Sequence, residues 1–194
     1  MMTNQQLRGA FLSPQMKCYF DKKLSPLPSA EVEVRVEETL KFLNMATYID
    51  GSIPVSPEID EVWHYWILET QEYAQLCSKL QGGQFLHHKS NDYAEYLDKD
   101  VKAHGIDFER DVAILGSYVL NYGPFEQERA RYWLLAAYLL EQRGWSIDEL
   151  NRWLGRARDL LPGSADVKYL ADQPPEPVRA RRARSASDHS RRAR

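Results

Sequence analysis

A helix-capping serine, a proline directly behind it and a glycine pair twenty-five residues further on bound the segment that most restricts this chain. From Pro57 to Gln81 the sequence holds no other proline and no glycine. Ser56 is a preferred N-cap type, and Pro57 suits a first helical position, where its missing N–H would have no partner anyway. Gly82-Gly83 can adopt the left-handed backbone on which helices end. The spacing predicts one helix over 56–80, about seven turns long. Trp63 and Trp66 cannot both sit at the centre of one narrow apolar stripe, so this helix is expected to be buried on more than one side, in the middle of a bundle.

The rest of the body also reads as helical. Ser29 can cap a helix from about Ala30 to Tyr48, with Val32, Val36, Leu40, Leu43 and Ala46 as an apolar stripe and Asp50-Gly51 as its stop. Its alternating Val-Glu-Val-Arg-Val start carries a strand signature as well. A short helix carrying Tyr93, Tyr96 and Leu97 is expected before Gly105. Asp107 can cap another to about Tyr122, and Pro124 can open a next one running through Trp133, Tyr138 and Leu139 to Gly144. Ser146-Ile-Asp-Glu149 has capping-box spacing ahead of Trp153, Leu154, Ala157, Leu160 and Leu161. The expected architecture is all-α: a single orthogonal or irregular bundle of five to six helices over 29–171, an irregular arm over 1–28 and a disordered Arg-rich tail over 172–194.

That tail follows from composition. Between Val178 and Arg194, Arg179, Arg181, Arg182, Arg184, Arg191, Arg192 and Arg194 face Asp188 alone, a surplus of six positive charges in a chain of net charge −3. The remainder is therefore acidic, at −9. Gln173-Pro-Pro-Glu-Pro177 cannot continue a helix, and the arginines, alanines and serines beyond offer little to bury. Such a tract can make weak, salt-sensitive contact with nucleic acid or an anionic surface, or simply be solvated. At 194 residues and 43% hydrophobic, the body can bury one full core. The longest apolar run, Trp133 to Leu140, is far short of the ~20 residues of a membrane span. No signal peptide is visible, and two cysteines do not make a disulfide framework, so free thiols in a reducing cytoplasm are expected. No phosphate-cradling glycine loop and no Gly-x-Ser-x-Gly elbow occurs, which removes sequence support for nucleotide hydrolysis and acyl transfer by those motifs.

The segment from Pro54 to His88 concentrates functional side chains: Trp63 and Trp66, three of the five histidines and one of the two cysteines. Asp60 and His64 are four apart and share a helix face, so the carboxylate can accept the imidazole N–H and fix its tautomer. The other ring nitrogen is then open to a metal, a substrate proton or a backbone carbonyl, and the sequence does not choose among them. Adjacent histidines in an extended loop point to opposite sides, so one of His87 and His88 is expected to turn inward toward His64. Asp60, His64, His87 and His88 have ligand types suited to zinc or iron, although their spacing matches no compact metal motif. Buried histidines satisfied by neighbouring polar groups are the competing reading. Cys77 continues the spacing of Trp66, Thr70 and Tyr73 and reads as a small core residue; most of the large aromatics likewise read as core.

Ser-Pro-x-x-Asp-x-x-Trp-His, then Thr-x-x-Tyr-x-x-x-Cys, then Gly-x-Phe-Leu-His-His resembles the core of the glycine-rich domain-containing-protein-like family. The likeness extends over about residues 30–135 and lacks the glycine-rich segment that gives the family its name. It places Trp63, His64, Thr70, Tyr73, Cys77, Phe85, His87 and His88 at motif positions, and it implies a domain that often occurs joined to other modules. With no catalytic motif in view, the expected function is that of a cytoplasmic binding or accessory protein for another polypeptide, which includes the recognition subunit of a peptide-modifying enzyme. The alternative is an enzyme that uses Asp60, His64 and His87 or His88 for metal binding or proton transfer.

Overall fold

A computed structural model describes residues 1–88 and 108–158. Among these residues the fold is all-α, with nine helices, no strand and one isolated antiparallel bridge between Val55 and Trp133. In chain order the helices are α1 (Asn4–Phe11), α2 (Pro14–Lys23), α3 (Ser29–Met45), α4 (Pro57–Leu68), α5 (Thr70–Lys79), α6 (Phe108–Tyr122), α7 (Gln127–Ala130), α8 (Leu134–Ala137) and α9 (Ile147–Arg158). A π-helical turn, Tyr138–Gln142, continues α8. None of these helices is long and apolar enough to cross a membrane. The expected helix over 91–105, the Leu160-Leu161 end of the last helix and the arginine tail lie outside the described residues.

The N-terminal segment corrects the expectation of an irregular arm over 1–28. Thr3 and Gln6 form a reciprocal capping box for α1, and the Ser13 hydroxyl accepts the Met16 N–H ahead of Pro14 to start α2. Leu7, Met16, Phe20 and Leu24 then enter the core.

A second correction concerns which helix is central. Every residue of α3 from Val36 to Leu43 is buried, and α3 packs against α1, α2, α4 and α6. The middle of the bundle therefore belongs to α3. Its start is helical despite the alternating pattern, and Ser29 lies inside the helix behind Pro28 without capping it. Ser56 likewise stands at the cap position of α4 but its hydroxyl accepts no helix N–H, while Pro57 takes the first helical position as expected.

The long helix over 56–80 is two helices. The chain bends at Glu69 (φ −90°, ψ 68°), which closes α4 through its N–H on the Trp66 carbonyl and opens α5 through its carbonyl on the Tyr73 N–H. No glycine or proline marks the bend. Tertiary packing sets it, because Val62 and Trp66 on one side and Tyr73, Leu76 and Cys77 on the other all enter one core. The helix expected from Pro124 is also divided: the bridge at Trp133 and the π turn interrupt it, and the Ser56 N–H bonds to the Tyr132 carbonyl to tie this irregular stretch to the start of α4. The capping box of α9 forms as the spacing indicates, with the Glu149 carboxylate accepting from Ser146 N (2.7 Å) and the Ser146 hydroxyl accepting from Glu149 N (3.2 Å).

Burying α3 on all sides takes charges with it. Glu38, with no exposed surface, accepts from Lys41 Nζ (2.7 Å), Arg129 Nη1 (3.1 Å), Tyr118 Oη (3.3 Å) and Trp133 Nε1 (2.9 Å). Glu37 pairs with Arg129 at 2.7 Å and with Arg8 of α1. Burial pulls the Lys41 ammonium below the usual lysine range against the raising effect of Glu38, and burial pushes the Tyr118 hydroxyl well up, so that it remains a donor.

Candidate metal-binding site

The first turn of α4 and the loop after α5 meet at one corner of the bundle. Asp60 and His64 lie one turn apart on α4, and the chain returns past Gly82 (φ 81°) and Gly83 (φ 60°) to set His88 over them. Both glycines hold left-handed backbone, the conformation that lets the chain leave α5 and double back. His88 Nε2 stands 3.1 Å from Asp60 Oδ1 and His64 Nδ1 stands 3.3 Å from Asp60 Oδ2. The two imidazoles meet edge to face with centroids 4.2 Å apart.

His64 Nδ1 is closer still to the Asp60 backbone carbonyl, at 2.7 Å. A carbonyl only accepts, so Nδ1 carries the proton and the lone pair is on Nε2. The expected i, i+4 pairing thus forms through the backbone oxygen at least as much as through the carboxylate. Burial grades across the site. The side chains of Asp60 and His64 are 48% and 49% exposed, whereas that of His88 is 16% exposed.

One ligand atom from each of Asp60, His64 and His88 lies within 4.8 Å of the other two. Donors around a zinc ion stand ~3.4 Å apart, given bonds of ~2.0–2.1 Å in tetrahedral geometry. Closing the set on an ion therefore takes movements of about 1 Å, which half-exposed side chains can make by small rotations.

Aromatic side chains wall the site. The Trp63 ring lies between Phe42 (5.2 Å) and His88 (4.5 Å), and its Nε1–H donates to Tyr73 Oη at 2.9 Å. Tyr73 Oη in turn donates to the Leu86 carbonyl at 2.7 Å. Burial raises the Tyr73 hydroxyl well above the usual tyrosine range, so it stays protonated. Ten residues of straight helix would set Trp63 and Tyr73 about 15 Å apart along the axis. The bend at Glu69 is what lets them bond.

The structure thus brings together Asp60, Trp63, His64, Tyr73 and His88. His87 is exposed and packs on Phe85 (5.1 Å), which is half-exposed with its edge on Tyr73 (5.1 Å). Of the adjacent histidines, His88 is the one turned to the helix. Thr70 is exposed at the start of α5 and makes none of the contacts described above, and Cys77 is buried core. The part of the site that the sequence reading missed is the Leu86 carbonyl; a main-chain acceptor leaves no trace in residue identity. A second polar corner, a cavity of about 380 Å³ beside Glu31, Arg35, Arg131 and Tyr132, is internally satisfied. Both arginines and the Tyr132 hydroxyl converge on Glu31 Oε1.

No protein-family model matches this chain, and neither a curated protein nor a solved structure matches it significantly.

Proposed function

We propose that this chain is a helical binding protein that holds one divalent transition-metal ion at Asp60, His64 and His88. The observation that carries the reading is the convergence of these three ligand atoms within 4.8 Å at a corner braced by Trp63 and Tyr73. Two neutral imidazoles and a carboxylate suit zinc or iron(II), and three protein ligands leave coordination positions open. Exposed Phe85 and His87 on the same loop offer an apolar and a polar contact next to those positions, which fits a polypeptide partner better than a fully enclosed small molecule. The resemblance to a domain often joined to other modules supports the same accessory role. In the cytoplasm, where free Cys18 and Cys77 stay reduced, the arginine tail would add weak, salt-sensitive contact with an anionic surface.

A second reading keeps the site and drops the ion. The Asp60 carboxylate between two imidazoles is suited to proton transfer on a bound substrate, with His64 Nε2 as the accessible base.

The full chain, stripped with chelator and dialysed, should bind Zn²⁺ or Co²⁺ at one ion per chain by isothermal titration, and the His64→Ala/His88→Ala double variant should lose that binding. Equal binding by the double variant, or none by the wild type, would exclude the metal reading. Because imidazole must be neutral to ligate, binding should weaken on acidification.

A further inference from the structure

We infer that Tyr73 is the positioning residue of this site, setting its metal affinity through His88 without contacting the ion. The inference rests on the metal reading of Asp60, His64 and His88.

Two of the three ligands are held by α4, but His88 is on a loop, and a ligand on a loop binds only as well as the loop is fixed. Among the described residues, the backbone of 84–88 has one hydrogen-bond anchor, the Tyr73 hydroxyl on the Leu86 carbonyl (2.7 Å). That anchor is two residues before His88. Along this stretch exposure alternates: Phe85 and His87 are exposed, Leu86 and His88 half-buried. Leu86 and His88 therefore face the same side, as in extended chain, and fixing the first aims the second.

The anchor has a defined direction. Trp63 Nε1–H can only donate, so the Tyr73 oxygen must accept from it and spend its own hydrogen on Leu86. Burial keeps that hydrogen in place. Trp63 also touches the His88 ring (4.5 Å), and Tyr73 touches Phe85 (5.1 Å). Helix α4, helix α5 and the loop are thus joined at one hydroxyl. Ring packing alone would confine His88 to a region; the hydrogen bond fixes how far along the helix it sits.

The test compares Tyr73→Phe with the wild type by Co²⁺ titration of the full chain, with the cobalt visible spectrum as a readout of ligand geometry. Loss of a partner that orients a ligand typically costs about 10–100-fold in affinity. The expected result is a rise in the Co²⁺ Kd of about tenfold or more with a shifted spectrum. Tyr122→Phe is the control, since it removes a part-buried hydroxyl that accepts from Asn44 on α3, and it should leave Kd and spectrum as in the wild type. Trp63→Phe, which deletes the N–H donor and also shortens the ring that packs on Phe42 and His88, is the second variant should Tyr73→Phe fold poorly, and it too should weaken binding. A Co²⁺ Kd unchanged in both site variants, or lowered affinity of the same size in Tyr122→Phe, would overturn the inference.

A metal-free arm separates this inference from the reading beneath it. In the stripped wild type, the Trp63 ring should shift the His88 imidazole resonances, and Tyr73→Phe should move them toward free-histidine values. If the wild type binds no Co²⁺, the metal reading fails; the resonance change would still uphold Tyr73 as the anchor of His88, and its absence would overturn that as well.

Discussion

Glu38 and Asp60 are both carboxylates on helices of the same bundle, and they are in opposite condition. Glu38 has no exposed surface, and four donors from three parts of the chain use both its oxygens. Asp60 is half exposed and meets two imidazoles, groups that can donate a proton, accept one or bind a metal. The first arrangement is closed: every group that approaches Glu38 is a donor, and with no exposed surface the carboxylate cannot be reached by an incoming ligand. The second is open. Burying an ion pair does not by itself make a protein more stable, because desolvation offsets much of the attraction. What the buried cluster does is make α3, α6 and the segment from Arg129 to Trp133 depend on one another. The open cluster is free of that duty and available for chemistry.

The largest effect should come from opening the closed cluster. Glu38→Ala leaves Lys41 and Arg129 buried without their shared partner and should cost about 3–5 kcal/mol, measured as a fall in the urea midpoint. Trp66→Ala is the apolar standard beside it, also about 3–5 kcal/mol. A Glu38→Ala loss below that of an ordinary surface substitution would mean that the cluster is not closed in solution.

The open cluster should behave in the reverse way. In metal-free protein His64→Ala should cost less than about 1 kcal/mol, the ceiling for exposed charge pairs. Zn²⁺ at one hundred times its dissociation constant should stabilise the wild type by about 2.7 kcal/mol and the variant by far less. If His64→Ala alone destabilises as much as Glu38→Ala, the cluster is structural and the distinction between the two regions fails. Tyr73→Phe is intermediate, since it orphans the part-buried Trp63 N–H and the Leu86 carbonyl; about 1–3 kcal/mol is expected.

The two regions were unequally legible from sequence. Asp60 and His64 are legible because their spacing on a helix places them on one face, and the loop glycines mark the return that brings one of the two adjacent histidines, His88, to them. The capping box at Ser146 was legible for the same local reason, and Thr3-x-x-Gln6 and Ser13-Pro14 at the N-terminus carry equally local start signals for the helices that replace the expected arm. The bend at Glu69 was not legible: Leu68-Glu69-Thr70 contains nothing that breaks a helix, and packing on both sides imposes it. Nor was the Glu38 cluster. Glu37, Glu38 and Lys41 carry no local sign of burial, because the groups that lie against them, Tyr118, Arg129 and Trp133, are eighty to ninety-five residues away.

The smallest prediction asks whether burial or saturation is what separates the regions. Glu31 decides it, because its side chain is 23% exposed yet Arg35, Arg131 and Tyr132 all donate to its Oε1. Burial would raise the Glu31 carboxyl, but the hydrogen bonds from Tyr132 and Arg35 and the charges of Arg131 and Arg35 together hold it below the usual range. A carboxyl whose folded value lies below its unfolded one stabilises the protein above the unfolded value, and the contribution is lost as pH falls through the folded one. Glu31→Gln should therefore lower the urea midpoint at neutral pH by a small amount, under about 1 kcal/mol for a partly exposed pair. The gap between wild type and variant should close as the pH falls below about 4.5, the ordinary carboxyl value. Asp60→Asn, at a more exposed side chain that meets imidazoles and no arginine, should show a smaller gap at neutral pH. Equal and negligible gaps for both would make burial the criterion, and the charges around Glu31 would then join Asp60 among the groups open to a ligand.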